Sequence, residues 1–418
     1  MSKTLMIKAM VLGAVACAFS ATGFAADVQN GHGQGIADST TEVNGAKHEA
    51  VRSNWMDRTD IVVGVGMKDS KETHSQHHYV GESSMRHDDL HTVTSKSLKS
   101  TEINKLYIET LQPITHYDEN AKSVVFVQGR IGRSGEKISS YKLDSYLEPA
   151  RPAGTFITHD KQTDTKESLG MNANIGIGYR RLSKGEHAYV GVNAFYDHVF
   201  KGGYKRVSGG VEYVAGLNEF HANLYRNLGT DDRKYIGLHG RSVVLGDPAG
   251  LYPYGMDPDQ SLYNYGIAAY ENHWMLSEKV AASGFDVGYS RTFKNARWAR
   301  VYADYYNWRG REAVRVGYYK LNKRDAIKGF NVGAEFHITP HLTLDAGYQT
   351  SSHHLSGPYA TLKYTIGTSK FAWRGGKHSE SVITTARSKM LDKVHRSDMV
   401  VQETVEDIYE QQFVDVGL

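Results

Sequence analysis

The feature that most constrains this chain is a series of short segments in which every second residue is apolar, between about Leu106 and Ile366. Residues 330–337, for example, read Phe-Asn-Val-Gly-Ala-Glu-Phe-His. A β-strand projects successive side chains to opposite faces, so each such strand has one apolar and one polar face. Because charged residues recur on the polar face of segment after segment, the pattern predicts an all-β fold, a transmembrane antiparallel up-and-down β-barrel with a polar lumen.

Twelve segments have about the 9–11 residues that a tilted membrane strand needs. Short, turn-like connections join many of them and predict antiparallel hairpins. Two connections are long, 132–168 and 228–283. For the second, three interpretations stay open: a surface loop, a lumen plug, or further strands around 263–270. We therefore expect a barrel over residues 101–367 with about twelve strands, at 104–112, 123–131, 169–180, 187–199, 204–214, 218–227, 284–292, 298–307, 311–320, 329–337, 341–350 and 358–366.

The N-terminus has the pattern of a secretory signal peptide over residues 1–25, with Lys3 and Lys8 before an apolar run and small residues before the expected cleavage site. Residues 26–100 are polar and predict a largely irregular periplasmic leader, whose histidines we interpret as part of a solvated tract. Cys17 is the only cysteine, so a processed chain can form no disulfide. The formal net charge of +3 does not indicate a nucleic-acid partner.

Acidic and basic residues on the polar strand faces nearly balance, and we expect them to face the lumen because charges are costly against lipid. They are interpreted as a structural ionic network; a selectivity ring for small solutes is the alternative. No catalytic, cofactor-binding or metal-binding residue is predicted. The charged residues expected in the lumen are Glu109, Arg130, Arg180, Asp197, Glu212, Arg300, Asp304, Arg315, Glu335, Asp345 and Lys363, together with Arg206 and Asp286.

Three consecutive predicted strands carry a more specific pattern. Residues 191–198 read Gly-Val-Asn-Ala-Phe-Tyr-Asp-His, the next hairpin ends in Gly-Val-Glu-Tyr213, and residues 222–225 read Ala-Asn-Leu-Tyr. This block resembles the β-domain of inverse autotransporters, the intimin and invasin family. Residues 284–287, Gly-Phe-Asp-Val, resemble the family's Gly-Tyr/Phe-Asp-Val strand start, and residues 391–402 are similar to the segment after its last strand. The resemblance covers roughly residues 100–402.

The resemblance implies a twelve-stranded outer-membrane barrel with its N-terminus in the periplasm. It also implies that the chain after the last strand threads back through the pore and ends in a surface passenger that serves adhesion. Two features differ: the 228–283 connection is longer, and 16 residues follow Gln402, whereas one immunoglobulin-like domain needs about 100. The tail 368–418, basic first and acidic at its end, is expected to be a linker in the lumen or else a disordered tail, with a helix possible over 381–394.

The expected function is that of an inverse-autotransporter barrel that anchors and translocates a C-terminal segment to the cell surface, by type V secretion, in a role related to adhesion. A porin-like channel is the alternative. A barrel hydrolase, built on Asp197-His198 or on His353-His354, is the less favoured third. The chain is expected to be no enzyme and to need no cofactor. Its expected site is the outer membrane of a Gram-negative cell. Expected partners are membrane lipid, the barrel-assembly machinery with periplasmic chaperones, and a surface ligand of unknown identity, but no nucleic acid.

Overall fold

The computed structural model describes residues 55–80, 87–118, 120–150, 155–229, 232–244, 265–310, 312, 314–316, 319–321, 323–352, 356–367, 372–374 and 386–417. The signal-peptide prediction and residues 26–54 and 81–86 of the predicted leader lie outside these residues. Two 3₁₀ turns, Trp55–Arg58 and Lys389–Leu391, accompany nineteen strands among the described residues. The strands are β1 (Thr59–Val80), β2 (His87–Pro113), β3 (Ser123–Arg133), β4 (Glu136–Ala150), β5 (Thr155–Ser168), β6 (Met171–Leu182), β7 (Ala188–Val199), β8 (Lys205–Ala215), β9 (Asn218–Asn227), β10 (Asp232–Val244), β11 (Tyr265–Ala281), β12 (Gly284–Phe293), β13 (Ala296–Trp308), β14 (Val314–Val316), β15 (Tyr319–Leu321), β16 (Ile327–His337), β17 (Leu342–Gln349), β18 (Gly357–Thr365) and β19 (Val400–Gly417).

Twelve of these strands form a closed antiparallel barrel. Its order is β1, β2, β3, β6, β7, β8, β9, β12, β13, β16, β17 and β18. The last strand pairs with the first, so the ring closes and leaves no edge in the barrel wall. The all-β barrel and the count of about twelve strands predicted from the alternation are thereby confirmed.

The apolar face of the barrel strands points outward. On β9, Phe220 and Leu224 are 47% and 67% exposed, and Phe330 and Val332 are exposed in the same way on β16. Apolar side chains in this position would face lipid, which explains why the alternation is strongest in these segments. Within the described residues, no helix has the length and apolar character of a membrane span.

The two ends of the barrel differ. At one, which we call the turn end, neighbouring strands are joined by short connections at 183–187, 216–217, 294–295 and 338–341. At the other, the hairpin end, strands continue beyond the barrel rim as a second sheet in the order β2, β1, β5, β4, β19, β11, β10. Every pairing in this sheet is antiparallel except that of β19 with β4, which is parallel.

The chain after β18 returns through the barrel. Trp373 still contacts the turn end, where its backbone N–H donates to the carbonyl of His337 at 2.8 Å. Residues 386–391 form a short helical turn, residues 393–399 have no regular secondary structure, and β19 begins at the hairpin end. We call residues 386–399 the lumen segment. Its path therefore runs from the turn end to the hairpin end inside the ring.

The prediction of an irregular leader is wrong for residues 59–80 and 87–100, which belong to β1 and β2. Only the first third of β1, up to about Gly66, alternates between apolar and polar residues, with Ile61, Val63 and Val65 exposed outward. The rest of β1 and the first half of β2 lie beyond the rim. Since no lipid contacts them there, both of their faces are polar and the sequence gives no strand signal.

The predicted strand 311–320 is also wrong. Its apolar alternation belongs to a small hairpin, β14 and β15, which forms a sheet of its own. Arg315 lies on β14 and is therefore not on the barrel wall, contrary to the prediction that it faces the lumen. The connection 228–283 contains β10 and β11 beyond the rim, so the interpretation as further strands was the right one of the three.

Candidate functional site

The candidate site is the contact between the lumen segment and the inner wall of the barrel. At the turn end, Arg387 donates two hydrogen bonds to the Glu186 carboxylate, at 3.0 and 2.6 Å, and a third to the carbonyl of Ala121 at 2.8 Å. Tyr117 donates to the carbonyl of Arg387 at 3.4 Å, and burial raises the pKa of this tyrosine to about 12, so that it stays protonated. These contacts fix the start of the lumen segment.

An apolar cluster follows directly. Ala386, Met390, Leu391 and Val394 of the lumen segment are all buried against the turn-end halves of β2, β3, β6, β7 and β8. The wall residues of this cluster are Leu111, Val124, Phe126, Leu182, Tyr189, Phe195 and Val214. Removal of this area from water stabilises the docked segment by roughly 0.8 kcal/mol for each buried methylene.

Arg180 connects the wall to the backbone of the lumen segment. It is completely buried, donates to both oxygens of Glu212 at 2.6 and 3.0 Å, and also donates to the carbonyls of Met390 and Asp392 at 2.9 and 2.5 Å. A guanidinium offers five donors in a planar fork, so one arginine can bind the Glu212 carboxylate and the two backbone carbonyls together. The carbonyl groups left free at the end of the helical turn are thereby satisfied.

Two acidic residues of the wall bind basic side chains of the lumen segment. Glu219 of β9 pairs with Lys389, and its second oxygen lies 3.5 Å from His395 and 3.2 Å from Arg300. Asp60 of β1 pairs with Lys393 and accepts a hydrogen bond from Thr365. The wall thus supplies the counter-charges for Lys389 and Lys393 of the segment.

Nearer the hairpin end, Asp197 lies between two arginines. Arg396 of the lumen segment donates to its two oxygens at 2.8 and 2.6 Å, and Arg206 of β8 donates at 2.9 Å. Arg396 also donates to Ser208 at 3.1 Å and packs over the ring of Phe195 at 4.5 Å. All three charged groups are buried, and a buried charge is tolerated only when it is paired in this way.

Near its end, the lumen segment carries an acidic residue that faces basic residues of the wall. Asp398 accepts from Arg130 at 2.6 Å and lies 3.4 Å from Lys105. The backbone N–H of Ser397 donates to Asp286 at 3.0 Å. The segment therefore presents both signs of charge, each against its opposite on the wall.

A cavity of about 290 Å³ remains beside the lumen segment. It is bounded on one side by residues 393–398 and on the other by strands of the opposite wall, and its lining is polar. The charged residues of the barrel wall that border it are Lys105, Glu109, Arg130, Asp286, Arg300, Asp304, Glu335, Asp345 and Lys363. Glu335 pairs there with Arg300 and with Lys363, the latter at 3.3 Å, and Tyr302 donates to Asp345 at 2.5 Å.

The charged residues expected in the lumen from the sequence fall into three groups. Arg180, Asp197, Arg206 and, through Arg180, Glu212 hold the lumen segment. Arg130, Asp286 and Arg300 contact both the segment and the cavity, whereas Glu109, Asp304, Glu335, Asp345 and Lys363 border the cavity. Arg315, on β14, belongs to none of these groups.

Sequence reasoning missed several residues that contact the lumen segment, and Glu186 and Tyr117 at the turn end are two of them. Lys105 has the same strand parity as Glu109, and Glu219 has that of Asn223, so both could have been found by extending the inward face of their strands. Gln128, which accepts from the backbone N–H of Val394 at 2.9 Å, carries no charge and so was passed over. Asp60 was missed because it lies in residues 26–100, which the sequence predicts to be an irregular leader.

The histidine proposed for a hydrolase does not lie beside its acidic neighbour. Asp197 faces the lumen, whereas His198 is on the outer face of β7, next to Tyr196 and Phe200 with ring centroids 6.5 and 5.6 Å away. His353 lies outside the described residues. Among the residues that the structure describes, no group of three or more metal-ligating side chains occurs.

Comparison with protein families decides the class of this barrel. The family model described as "Inverse autotransporter, beta-domain" matches residues 145–398, which include the lumen segment almost to its end. The chain belongs to the inverse autotransporter β-domain family. As a member of that family it is a β-barrel of the outer membrane.

Other comparisons add little. Among curated proteins none matches this chain significantly. A solved structure described as "Unveiling the Mechanism Behind the in-meso Crystallization of Membrane Proteins" is 14% identical with a TM-score of 0.42 and covers 83% of this chain and 100% of its own. A Salmonella typhi OmpF complex with daunomycin is 8% identical with a TM-score of 0.22 and covers 74% of this chain and 98% of its own. At such scores neither likeness carries a conclusion about this inverse autotransporter.

Proposed function

We propose that this inverse autotransporter carries its own C-terminal segment through its pore and holds it at the cell surface. The observation that carries the proposal is the path of residues 386–417, which enter the barrel at the turn end and leave it at the hairpin end as β19. A segment that was only a loose periplasmic tail would have no reason to be matched to the wall by buried ion pairs along its length.

The orientation follows from the connections. Outer-membrane barrels have short periplasmic turns and longer extracellular loops. The turn end is therefore assigned to the periplasm, together with the leader before β1, and the hairpin end with β19 is assigned to the outside. With this assignment the lumen segment would enter the barrel from the periplasm and leave it at the cell surface, as export requires.

An epitope tag after Leu418 tests the proposal. On intact cells that express the full chain, we expect an antibody to bind this tag, because the C-terminus lies outside. A matched control carries the same tag in the 183–187 turn, which should bind the antibody only after permeabilisation. If the C-terminal tag also needs permeabilisation, the segment is not exported and the proposal fails.

A porin-like channel is the second candidate, and the polar cavity of about 290 Å³ is the observation that favours it. The full chain and a chain ending at residue 385 would be compared in planar bilayers. If the lumen segment fills the pore for export, the shortened chain should conduct and the full chain should remain almost closed. Equal conductance of the two chains would favour the channel.

We also propose a role in adhesion, because the sheet beyond the rim combines the extensions of β1 and β2 with five further strands, β4, β5, β10, β11 and β19. Cells expressing the full chain should adhere to host cells or to surfaces better than cells whose chain lacks β10 and β11. Equal adhesion of the two would remove this part of the proposal and leave export untouched.

A further inference from the structure

The exit of the tail has a structure of its own. The first eight residues of β19 lie between β4 and β11 and pair with both, from Val400 opposite Glu136 to Asp407 opposite Leu143 on one side and from Val401 opposite Ala281 on the other. β4 and β11 come from different long connections, and β19 is the strand that joins them into one sheet. We call the space between β4 and β11 the tail slot.

One charged residue of β19 is held by both walls of the tail slot. Glu403 accepts from Lys279 of β11 at 2.5 Å, from Lys137 of β4 at 2.7 Å and from Ser139 of β4 at 3.1 Å. Its side chain is only 11% exposed. Although burial opposes ionisation, the hydrogen bonds from the two lysines lower the pKa of Glu403 below its ordinary value.

The neighbours of Glu403 fix the register. Val400 is buried in one apolar cluster with Ile138, Trp308 and Ile327, on one face of the sheet, and Val401 in another with Val199 on the opposite face. A slip of β19 by one residue would turn all of these side chains to the wrong face. Glu403 would then lose its lysines, and the two valines would exchange surroundings.

We propose that the tail slot is a receptor for the exported tail of the same chain, in which Glu403 sets the register and strand pairing on both sides prevents the tail from sliding back into the pore. The proposal rests on the export function. Its physical basis is that β4 and β11 each carry a row of backbone donors and acceptors that β19 satisfies. The occupant is the segment 400–407, in which Val400 and Val401 pack against apolar clusters and Glu403 pairs with the lysines of both slot walls.

Charge reversal tests the proposal in the full chain, with an epitope tag after Leu418. Chymotrypsin added to intact cells can release this tag by cleavage at Tyr409 or Phe413, which continue β19 beyond the slot and pair with β11, so the release rate reports how often β19 detaches from the sheet. In Glu403→Lys we expect the release to be about tenfold faster or more, because a buried carboxylate that bonds two lysines is replaced by a third cation. Adding Lys137→Glu and Lys279→Glu should return the rate towards that of the wild type.

The matched control is Glu167→Lys. Glu167 of β5 lies 3.3 Å from Lys137, but it does not touch β19, so this reversal disturbs the same lysine without touching the tail. We expect a release rate close to that of the wild type. Equal release from Glu403→Lys and from Glu167→Lys would overturn the receptor proposal.

Cysteine pairs test the register directly. Thr404 lies opposite Ser140 in the parallel pairing, and opposing positions of neighbouring strands lie at a Cα separation that suits a disulfide. Thr404→Cys with Ser140→Cys should cross-link on intact cells, whereas Thr404→Cys with Tyr141→Cys, one residue along and on the other face, should not. Cross-linking of neither pair, or of both equally, would refute a fixed register.

The outcomes separate this inference from the export function. If the C-terminal tag of the wild type is hidden on intact cells, export itself fails. If the tag is exposed but neither charge reversal nor the cysteine pairs behave as expected, export stands and the receptor role of the tail slot is wrong.

Discussion

The contact of Arg396 with Asp197 should hold the lumen segment in the pore, and Arg396→Met removes it while keeping the length of the side chain. The arginine contributes two hydrogen bonds to the Asp197 carboxylate and one to Ser208. Asp197 keeps its bond from Arg206 in the variant, so no buried carboxylate is left without a cation. The change therefore weakens the docking of the segment rather than the wall.

The magnitude follows from these bonds. Hydrogen bonds to a charged group contribute about 1.5–3 kcal/mol each, and complete loss of the partner of a buried ion costs about 3–5 kcal/mol. Arg206 still compensates the charge of Asp197, and the variant avoids the cost of desolvating the Arg396 guanidinium. We therefore expect the docked state to lose about 2–4 kcal/mol. At about 1.4 kcal/mol for each factor of ten, the undocked population rises about 30- to 700-fold.

Single-channel recording in planar bilayers measures this population as the open probability. Arg396→Met should open about 30- to 700-fold more often than the wild type, and Arg396→Lys should lie between the two. The control Lys184→Met changes an exposed lysine of a short connection and should leave the open probability unchanged. If Arg396→Met stays as closed as the wild type while the chain ending at residue 385 conducts, Asp197 does not hold the segment.

Three further predictions concern the wall and the exit. Gln402→Leu should stabilise the folded chain by about 1–3 kcal/mol in urea unfolding, since the Gln402 amide is 2% exposed and neither of its polar atoms has a partner; an unchanged midpoint would contradict this. Gly178→Ala should destabilise by about 1–3 kcal/mol because its Cβ would lie 2.2 Å from the buried Phe126 ring, and Gly209→Ala, with its nearest atom at 3.9 Å, should not. The pKa of Glu403 is lower in the folded chain than in the unfolded chain, where it is about 4.5. The contribution of Glu403 to the stability of the docked β19 is therefore complete above the unfolded pKa and is lost as pH falls through the folded pKa. Hydrogen exchange of β19, corrected for intrinsic rates, should then accelerate at low pH in the wild type and far less in Glu403→Gln.

The sequence predicts the membrane part of this barrel well because lipid imposes the pattern. Where a strand has lipid on one side and the polar lumen on the other, every second residue must be apolar, and the segments around Leu224 and Phe330 are found without difficulty. The outer part of β1 lacks this alternation. Its residues after Gly66 are paired on both sides but face water, so nothing in their composition distinguishes a strand from an irregular leader.

The count of twelve strands was right although one member was wrong. The segment 311–320 alternates like a membrane strand, yet Val314–Val316 within it pairs with Tyr319–Leu321 in a separate small sheet, while the overlooked β1 completes the ring. Alternation reports only that one face of a segment is apolar. It does not report what covers that face, so a small hairpin and a membrane strand give the same local signal.

The candidate site could be predicted only on its wall side. Strand parity identifies Arg180, Asp197 and Glu212 as inward residues, because their outward neighbours are apolar. The lumen segment has no such period: the part after its helical turn reads Lys-Val-His-Arg-Ser-Asp-Met over 393–399, and each residue meets a different strand. Those partners are brought together by the closure of the ring, which no local pattern in the sequence specifies.

Several charged residues of the wall have their ion-pair partners in the lumen segment rather than in the wall alone. Asp197 is shared by one arginine of the wall and one of the segment, and Glu219 is shared by Arg300 of the wall and Lys389 of the segment. Arg130 has its close carboxylate partner in the segment, at Asp398. An ionic network that served only to stiffen the barrel would complete these pairs within the wall. Because the pairs are completed across the interface, the network is better understood as a binding site for the segment that threads the pore.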